Sequence, residues 1–514
     1  MNIYMILLPI LLPVLAGLYM LFAPFKDSRK RNIFVEAVTL INTVITLALL
    51  IQPPEGTLQL FSLGDRLPMT LRIDGMATFF GLIVSCLWPL ATLYAFEYME
   101  HEERVGTFFA FYTITYGITL GVAFSGNIVT LYLFYEMLTM VTIPLVMHTM
   151  TDAARRAARK YLYYMIGGTA FAFIGMVFYA LFSTGIEFTY GGNLDVDRLS
   201  RHLDVVYFVY ILAFFGFGVK AAIFPFHGWL PEASVAPTPV TALLHAVAVV
   251  KSGIFAIMRF TYYCFGAEVL KGSWAQTIAL VFAMVTIVYA STMGVRETHF
   301  KRRMAYSTVS NLSYIVLALA MMSPLGLLAG MLHMLFHAVM KISGFFCVGA
   351  VMHKAGRNYV YELDGLGRKM PATFVAFFIS GLSLAGFPLF SGFISKWEIA
   401  GALFEGEFIL ADAGVLVLIY SALMTAIYMI TTVVRAFLPE KSQSVRTSAE
   451  KAADAAQADK AAATKSSDNL HENITDPTFR MTLPLLIFSI ATVFFGICAQ
   501  PVINMLSRVA NGGY

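Results

Sequence analysis

Eight ionisable residues fall inside stretches that are otherwise apolar: Glu136, Lys220, His245, Lys251, His333, His337, Lys341 and Lys396. At a helical rise of about 1.5 Å per residue, Glu136 lies about 14 Å into its apolar stretch, and Lys220 and Lys251 about 21 Å into theirs. A charge in the middle of a hydrocarbon layer costs about 3 kcal/mol on insertion scales. These groups must therefore pair, hydrate or titrate. Burial disfavours the charged amine, and a nearby carboxylate restores it. A lysine with a movable acidic partner is thus a device for holding and releasing a proton. A static buried ion pair is the bland alternative, and four such lysines in one chain argue against it.

His333, His337 and Lys341 recur at i, i+4 and i+8 and share one helix face. Imidazole titrates near neutral pH, so this face reads as a polar wire. Two histidines four residues apart also suit zinc. No acidic or cysteine ligand lies near them in sequence, and the adjacent lysine repels a cation, so metal is the rival reading and no metal site is assigned. His245 precedes Lys251 by six residues and is placed to link that lysine to the wire. His148, His227, His299 and His353 lie at element ends and read as ordinary interface residues.

The elements that must position these groups are transmembrane helices. Of 514 residues, 58% are hydrophobic and only 13% charged, with a mean hydropathy of +0.73, whereas soluble domains carry about 25% charged residues. Apolar runs reach the length needed to span about 30 Å of hydrocarbon as helix. The short alternating strands of a membrane barrel are absent from the pattern. Helices are expected near 3–24, 32–52, 75–97, 106–124, 127–149, 160–183, 206–226, 237–264, 274–294, 304–321, 325–350, 372–401, 411–437 and 478–508, about fourteen in all. The seventh is interrupted around Pro225 and Pro231, the twelfth around Gly386 and Pro388. Broken helices survive at membrane depth only inside protein or beside a wet cavity. The two breaks lie five helices apart, which suggests two five-helix repeats, inverted relative to each other because five is odd. The expected organisation is a three-helix segment 1–105, repeats 106–264 and 274–437, a polar low-complexity loop 438–476 and a C-terminal helix 477–514.

The loops after odd-numbered helices carry 24 basic residues and the opposite side six, which places both termini on the non-cytoplasmic side of a cytoplasmic or inner membrane. The N-terminus is apolar from residue 3 and reads as a retained helix. Cys86, Cys264, Cys347 and Cys498 are scattered singly, without the spacing of an iron–sulfur or haem site, and no nucleotide loop is visible. No cofactor is expected in this chain, and any electron chemistry would sit on partners.

From Lys220 to Gly253, through Phe224-Pro225-Phe226-His227-Gly228-Trp229-Leu230-Pro231 and on to His245 and Lys251, the sequence strongly resembles the antiporter-like subunit family. That family comprises the proton-pumping membrane subunits of respiratory complex I, the large subunits of Mrp-type sodium/proton antiporters and relatives in membrane-bound hydrogenases. Asp74-Gly75, the Glu136 helix, the His337/Lys341 helix and the Gly392-Phe393-Ile394-Ser395-Lys396 segment follow in the family's order, over about residues 74–437. The resemblance implies fourteen helices with two inverted five-helix repeats. It implies Glu136 and Lys220 as an acid–lysine pair, Lys251 as the central lysine and Lys396 as the terminal residue on the broken twelfth helix. It implies a proton-translocating member of a multi-subunit complex, most like the D-type large subunit of Mrp antiporters or a pump subunit of complex I or a hydrogenase. Its partners would be protons, with sodium left open, other membrane subunits and the bilayer, but no nucleic acid. A stand-alone secondary transporter of a cation or small solute is the alternative.

Overall fold

A computed structural model describes residues 2–64, 67–406, 408–439 and 474–513. Among these residues twelve helices are long and apolar enough to cross a bilayer. In chain order the first six are α1 (Leu8–Phe22, entered through a 3-10 turn), α2 (Ser28–Ile51), α3 (Gly75–Tyr98), α4 (Val105–Ala123), α5 (Ile128–Val146) and α6 (Asp152–Phe182). Next come α7 (Leu203–Lys220), then α8 (Thr238–Ala246) and α9 (Val249–Arg259), which share one span ending at Phe265, and α10 (Trp274–Arg296). Two more segments occupy the expected tenth and twelfth positions: α11 (Phe300–Leu319), and the interrupted pair α13 (Pro371–Ala385) and α14 (Ser391–Phe404). The last three of the twelve are α12 (Pro324–Ala355), α15 (Ile409–Phe437) and α16 (Phe479–Ile497), and a short helix, α17 (Gln500–Ala510), follows.

Several boundaries differ from the sequence expectation. The seventh helix stops at Lys220, where Ala222 adopts a left-handed conformation, before the expected Pro225. The loop that follows satisfies its own polar groups: Trp229 Nε1 donates to Val219 O at 2.8 Å, and Phe224 N to Thr286 Oγ1 at 3.0 Å. The eighth span, expected unbroken over 237–264, parts at Val247 and Ala248, with Ala248 N reaching back five residues to Leu243 O. It then widens into a π segment, Phe260–Phe265, a rare form that recurs at functional sites. The last helix, expected over 478–508, turns at Cys498–Ala499. A hairpin that the apolar pattern hid, β1 (Leu58–Ser62) with β2 (Pro68–Leu71), pairs antiparallel and is tied to the start of α5 by Thr70 N donating to Thr130 Oγ1 at 2.8 Å. The polar loop expected over 438–476 falls at 440–473 outside the described residues.

The span Thr238–Phe265 is wholly enclosed and Pro324–Ala355 is enclosed over 326–351, whereas α1, α6, α15 and α16 present apolar faces outward. Carboxylates fasten the last helix to the bundle. Glu97 on α3 pairs with Lys354 at 3.0 Å and accepts from Thr478 N at 3.0 Å. Asp476 accepts from Ala372 N and Thr373 N, both at 2.9 Å, where α13 begins.

Close helix approach depends on small residues, as expected without a hydrophobic drive between helices in lipid. A Cβ on Gly216 of α7 would strike the backbone nitrogen of Ala172 on α6, while one on Gly167 would meet nothing within 4 Å. Gly216→Ala should cost about 1–3 kcal/mol, read as a lowered melting temperature in detergent, with Gly167→Ala unchanged. Equal melting of the two variants would contradict this packing.

Candidate functional site

The two enclosed spans carry most of the charge. Lys251, in the first turn of α9, places its amine 2.8 Å from His337 Nδ1 on α12. The break between α8 and α9 separates His245, in the last turn of α8, from Lys251 just beyond it. His333 lies one turn from His337, their ring centroids 6.0 Å apart, and His333 Nδ1 meets Ser395 Oγ on α14 at 2.9 Å. One turn the other way lies Lys341, with His245 packed on Phe345 at 4.9 Å between centroids. All five are fully buried.

His333, His337 and Lys341 follow one another at successive turns of α12, as the i, i+4, i+8 spacing predicts, and the Lys251–His337 and His333–Ser395 contacts carry the row from α9 to α14, where Lys396 follows Ser395. His245 does not link Lys251 to that face, as the sequence suggested; Lys251 contacts it directly. Among the described residues both ring nitrogens of His245, Nε2 of His333 and of His337, and Nζ of Lys341 are buried without a protein hydrogen-bond partner. Ser252 Oγ, Ser307 Oγ and Asn311 Oδ1 share that condition. Buried polar atoms on this scale demand partners, and water is the partner small enough to serve.

The breaks supply the lysines' other contacts. Lys396 Nζ donates to Leu384 O at 2.6 Å and Ala385 O at 3.2 Å, the last carbonyls of α13, where the helix dipole favours a cation. It also lies 5.1 Å over the Tyr314 ring. Gly386 (φ +91°) makes that turn, and a Cβ there would crowd Lys396 Cδ at 3.0 Å. Pro388 lies within the same turn, and Pro225 and Pro231 within the loop after α7. Lys220, the last residue of α7, donates to the Tyr135 carbonyl and sits over the Tyr135 ring.

Glu136 is the next residue along α5, yet no ion pair joins it to Lys220 among the described residues. Its carboxylate accepts from Thr169 Oγ1 on α6 at 2.7 Å instead. Glu136 and Lys220 are electrostatic neighbours and not a contact pair. Glu136 and Lys396 are both half-buried: Glu136 beside outward-facing Met137 and Met140, Lys396 beside Trp397, which is 67% exposed.

Sequence reasoning missed Arg259, although it lies eight residues past Lys251 in the same apolar span, a signal that could have found it. Its fully buried guanidinium makes a two-pronged pair with Asp74, at 2.7 and 2.6 Å, and lies among the rings of Phe188, Phe255 and Tyr263. Asp74 also caps α3 through Ala77 N at 2.9 Å and pairs with Arg72 at 3.1 Å. Arg72 and Asp74 form part of the wall of a cavity of about 730 Å³. No group of three or more metal-ligating side chains gathers among the described residues. His227, read as an interface residue, is buried against Tyr289 with centroids 4.7 Å apart.

Burial alone would raise the Asp74 pKa, but the charge and hydrogen bonds of Arg259 outweigh it and hold the carboxyl at about 2. A depressed folded-state value stabilises above the unfolded pKa, so this contribution is complete above pH about 4 and drains as pH falls toward 2. Asp74→Asn should cost about 3–5 kcal/mol, because it strands a buried guanidinium; thermal melting of the detergent-solubilised chain measures this, and a change under 1 kcal/mol would mean that Arg259 finds another partner.

Residues 125–425 match the family described as NADH:quinone oxidoreductase/Mrp antiporter, TM, and residues 61–109 match NADH-ubiquinone oxidoreductase (complex I), chain 5 N-terminus. The A/B polypeptide of a probable K(+)/H(+) antiporter of Rhizobium meliloti is 31% identical over 75% of this chain and 38% of its own length. The N polypeptide of the NADH-quinone oxidoreductase of Desulforudis audaxviator is 32% identical over 72% of both chains. Among solved structures, a polypeptide of the Mrp complex from Dietzia sp. superposes with TM-score 0.81 at 21% identity, covering 98% of this chain and 96% of that one. The chain thus spans well under half of the Rhizobium relative but most of the Desulforudis one.

Proposed function

The chain belongs to the NADH:quinone oxidoreductase/Mrp antiporter transmembrane family, and on that premise we propose that it is a proton-translocating membrane subunit of a multi-subunit ion-translocating complex. The observation that carries this reading is the 2.8 Å contact between Lys251 and His337 within an enclosed row where, among the described residues, Lys341 Nζ and at least one ring nitrogen of His245, His333 and His337 lack a protein partner. A charge held there is expensive, so a proton is retained only while a neighbour or water compensates it. Lys251 passes its proton to the His337–His333 face, and from there it moves through water and Ser395 to Lys396. The carbonyls of Leu384 and Ala385 stabilise the ammonium at that end until release. Glu136 tunes Lys220 by its distance: drawn to Thr169 it leaves the amine to the Tyr135 carbonyl, and swung inward it would hold the amine charged.

The half-buried Glu136 and Lys396 support a place between neighbouring subunits, since a lone transporter gains nothing from titratable groups on its lateral faces. The repeats 106–264 and 274–437 would each supply one broken helix and one terminal lysine. The excess of basic residues in the odd-numbered loops sets both termini on the non-cytoplasmic side of the inner membrane. Protons are the ions moved by this chain. Sodium exchange, as in the names of antiporter relatives, would be supplied by the assembly.

In the assembled complex reconstituted in liposomes, Lys251→Met and Lys396→Met should each reduce proton transport to less than a tenth of the native rate, as followed by a pH-sensitive dye. Co-purification of the other subunits should be unchanged. Native transport by either assembled variant would refute the role.

A further inference from the structure

Away from the row of buried amines, a cavity of about 630 Å³ opens where α2 and α16 begin and α3 ends, on the face bearing the basic loops. Arg29, Arg31 and Arg480 stand in its wall, and none of them has an ion pair among the described residues. Arg29 is the second residue of α2 and Arg480 the second of α16. The N-terminal end of a helix dipole disfavours a cation and favours an anion. A phosphate between two such ends suits both dipoles and both guanidinium groups. Arg31 is oriented in advance: its Nε and Nη2 donate to Asn32 Oδ1 at 3.2 and 3.0 Å, and its guanidinium lies 5.4 Å from the centre of the Phe109 ring on α4.

The same wall carries two carboxylates, Glu36 and Glu100, and neither has an ion pair among the described residues. Glu36 lies about two turns into α2, and its Oε2 is buried without a hydrogen-bond partner. An occupant must therefore bring an anionic group for the arginines and a cation that donates hydrogen bonds for the carboxylates. Next to the cavity the surface is apolar. Leu82, Cys86 and Leu90 recur every four residues along α3 and are partly open to the bilayer, and α2 and α16, both packed on α3, also turn apolar side chains outward.

We propose that this cavity holds the headgroup of a phospholipid with a primary ammonium, a phosphatidylethanolamine, drawn from the leaflet on the basic-loop side, with its acyl chains along the open strip of α3. The phosphate takes the three arginines, and the ammonium takes Glu36 from within and Glu100 at the rim. A choline headgroup has no N–H to donate and a glycerol headgroup brings no cation, so both bind more weakly. The assignment is independent of the transport reading and adds to it a structural lipid.

The test places the intact complex in phosphatidylcholine liposomes doped with a phosphatidylethanolamine that carries a photoreactive acyl chain. Label on α2, α3 or α16 should exceed that from the matching phosphatidylcholine or phosphatidylglycerol probe about tenfold, the margin that charge-assisted hydrogen bonds supply. Arg29→Gln combined with Arg480→Gln should cut the label at least fivefold. Glu36→Gln should bring the ethanolamine probe down to the level of the choline probe. Equal labelling by all three headgroups, more label from phosphatidylglycerol, or native labelling in the double variant overturns the site. Millimolar phosphoethanolamine, the free headgroup, should leave the label in place; full displacement would show a pocket for a soluble phosphate ester and refute the lipid. If Glu36→Gln does not assemble, the double variant decides alone, because both of its side chains are exposed.

Discussion

Charge in an apolar interior is tolerated only when something other than lipid surrounds it, and that constraint organises this molecule. The two spans that lipid cannot reach, Thr238–Phe265 and Pro324–Ala355, carry Lys251, Arg259, His333, His337 and Lys341. The remaining helices act as their solvent. The outer ones are apolar toward the bilayer and contribute carbonyls, hydroxyls and rings inward. Where they contribute too few, nitrogens remain without a protein partner among the described residues.

Helix breaks are the second device. An unbroken helix consumes its own carbonyls, so a lysine buried beside one finds few acceptors. The end of α13 frees the carbonyls of Leu384 and Ala385, and Lys396 takes them. The parting of α8 and α9 lets His245 and Lys251 project from separate segments toward different parts of α12. Arg259 represents the opposite solution. Its pairing with Asp74 is direct, two-pronged and walled by rings, which fixes a charge in place. The Lys251–His337 contact instead joins two groups that compete for one proton, and on that feature the proposed transfer rests.

Much of this was legible beforehand. The helices, the breaks after α7 and within the α13–α14 pair, and the shared face of His333, His337 and Lys341 all follow from local periodicity and from Gly and Pro. The parting at Val247–Ala248 did not, because no Gly or Pro marks it; packing among enclosed neighbours imposes it. Lys301 passed for a loop charge because it stands in a run with Arg302 and Arg303, and only the course of the chain buries it. The hairpin β1–β2 was invisible because its order comes from α5, through Thr130 and Asn127.

The sequence by itself determined that this chain crosses a membrane many times and that amines and imidazoles must lie within it, because hydropathy and helical rise act locally and are indifferent to what packs against what. Which of those groups meet is a different matter. That Lys251 touches His337, that Glu136 turns to Thr169 and away from Lys220, and that Arg259 is spent on Asp74 are facts of distance between segments far apart in the chain. The energy of a buried charge depends on its nearest few ångströms, and only the tertiary structure sets those.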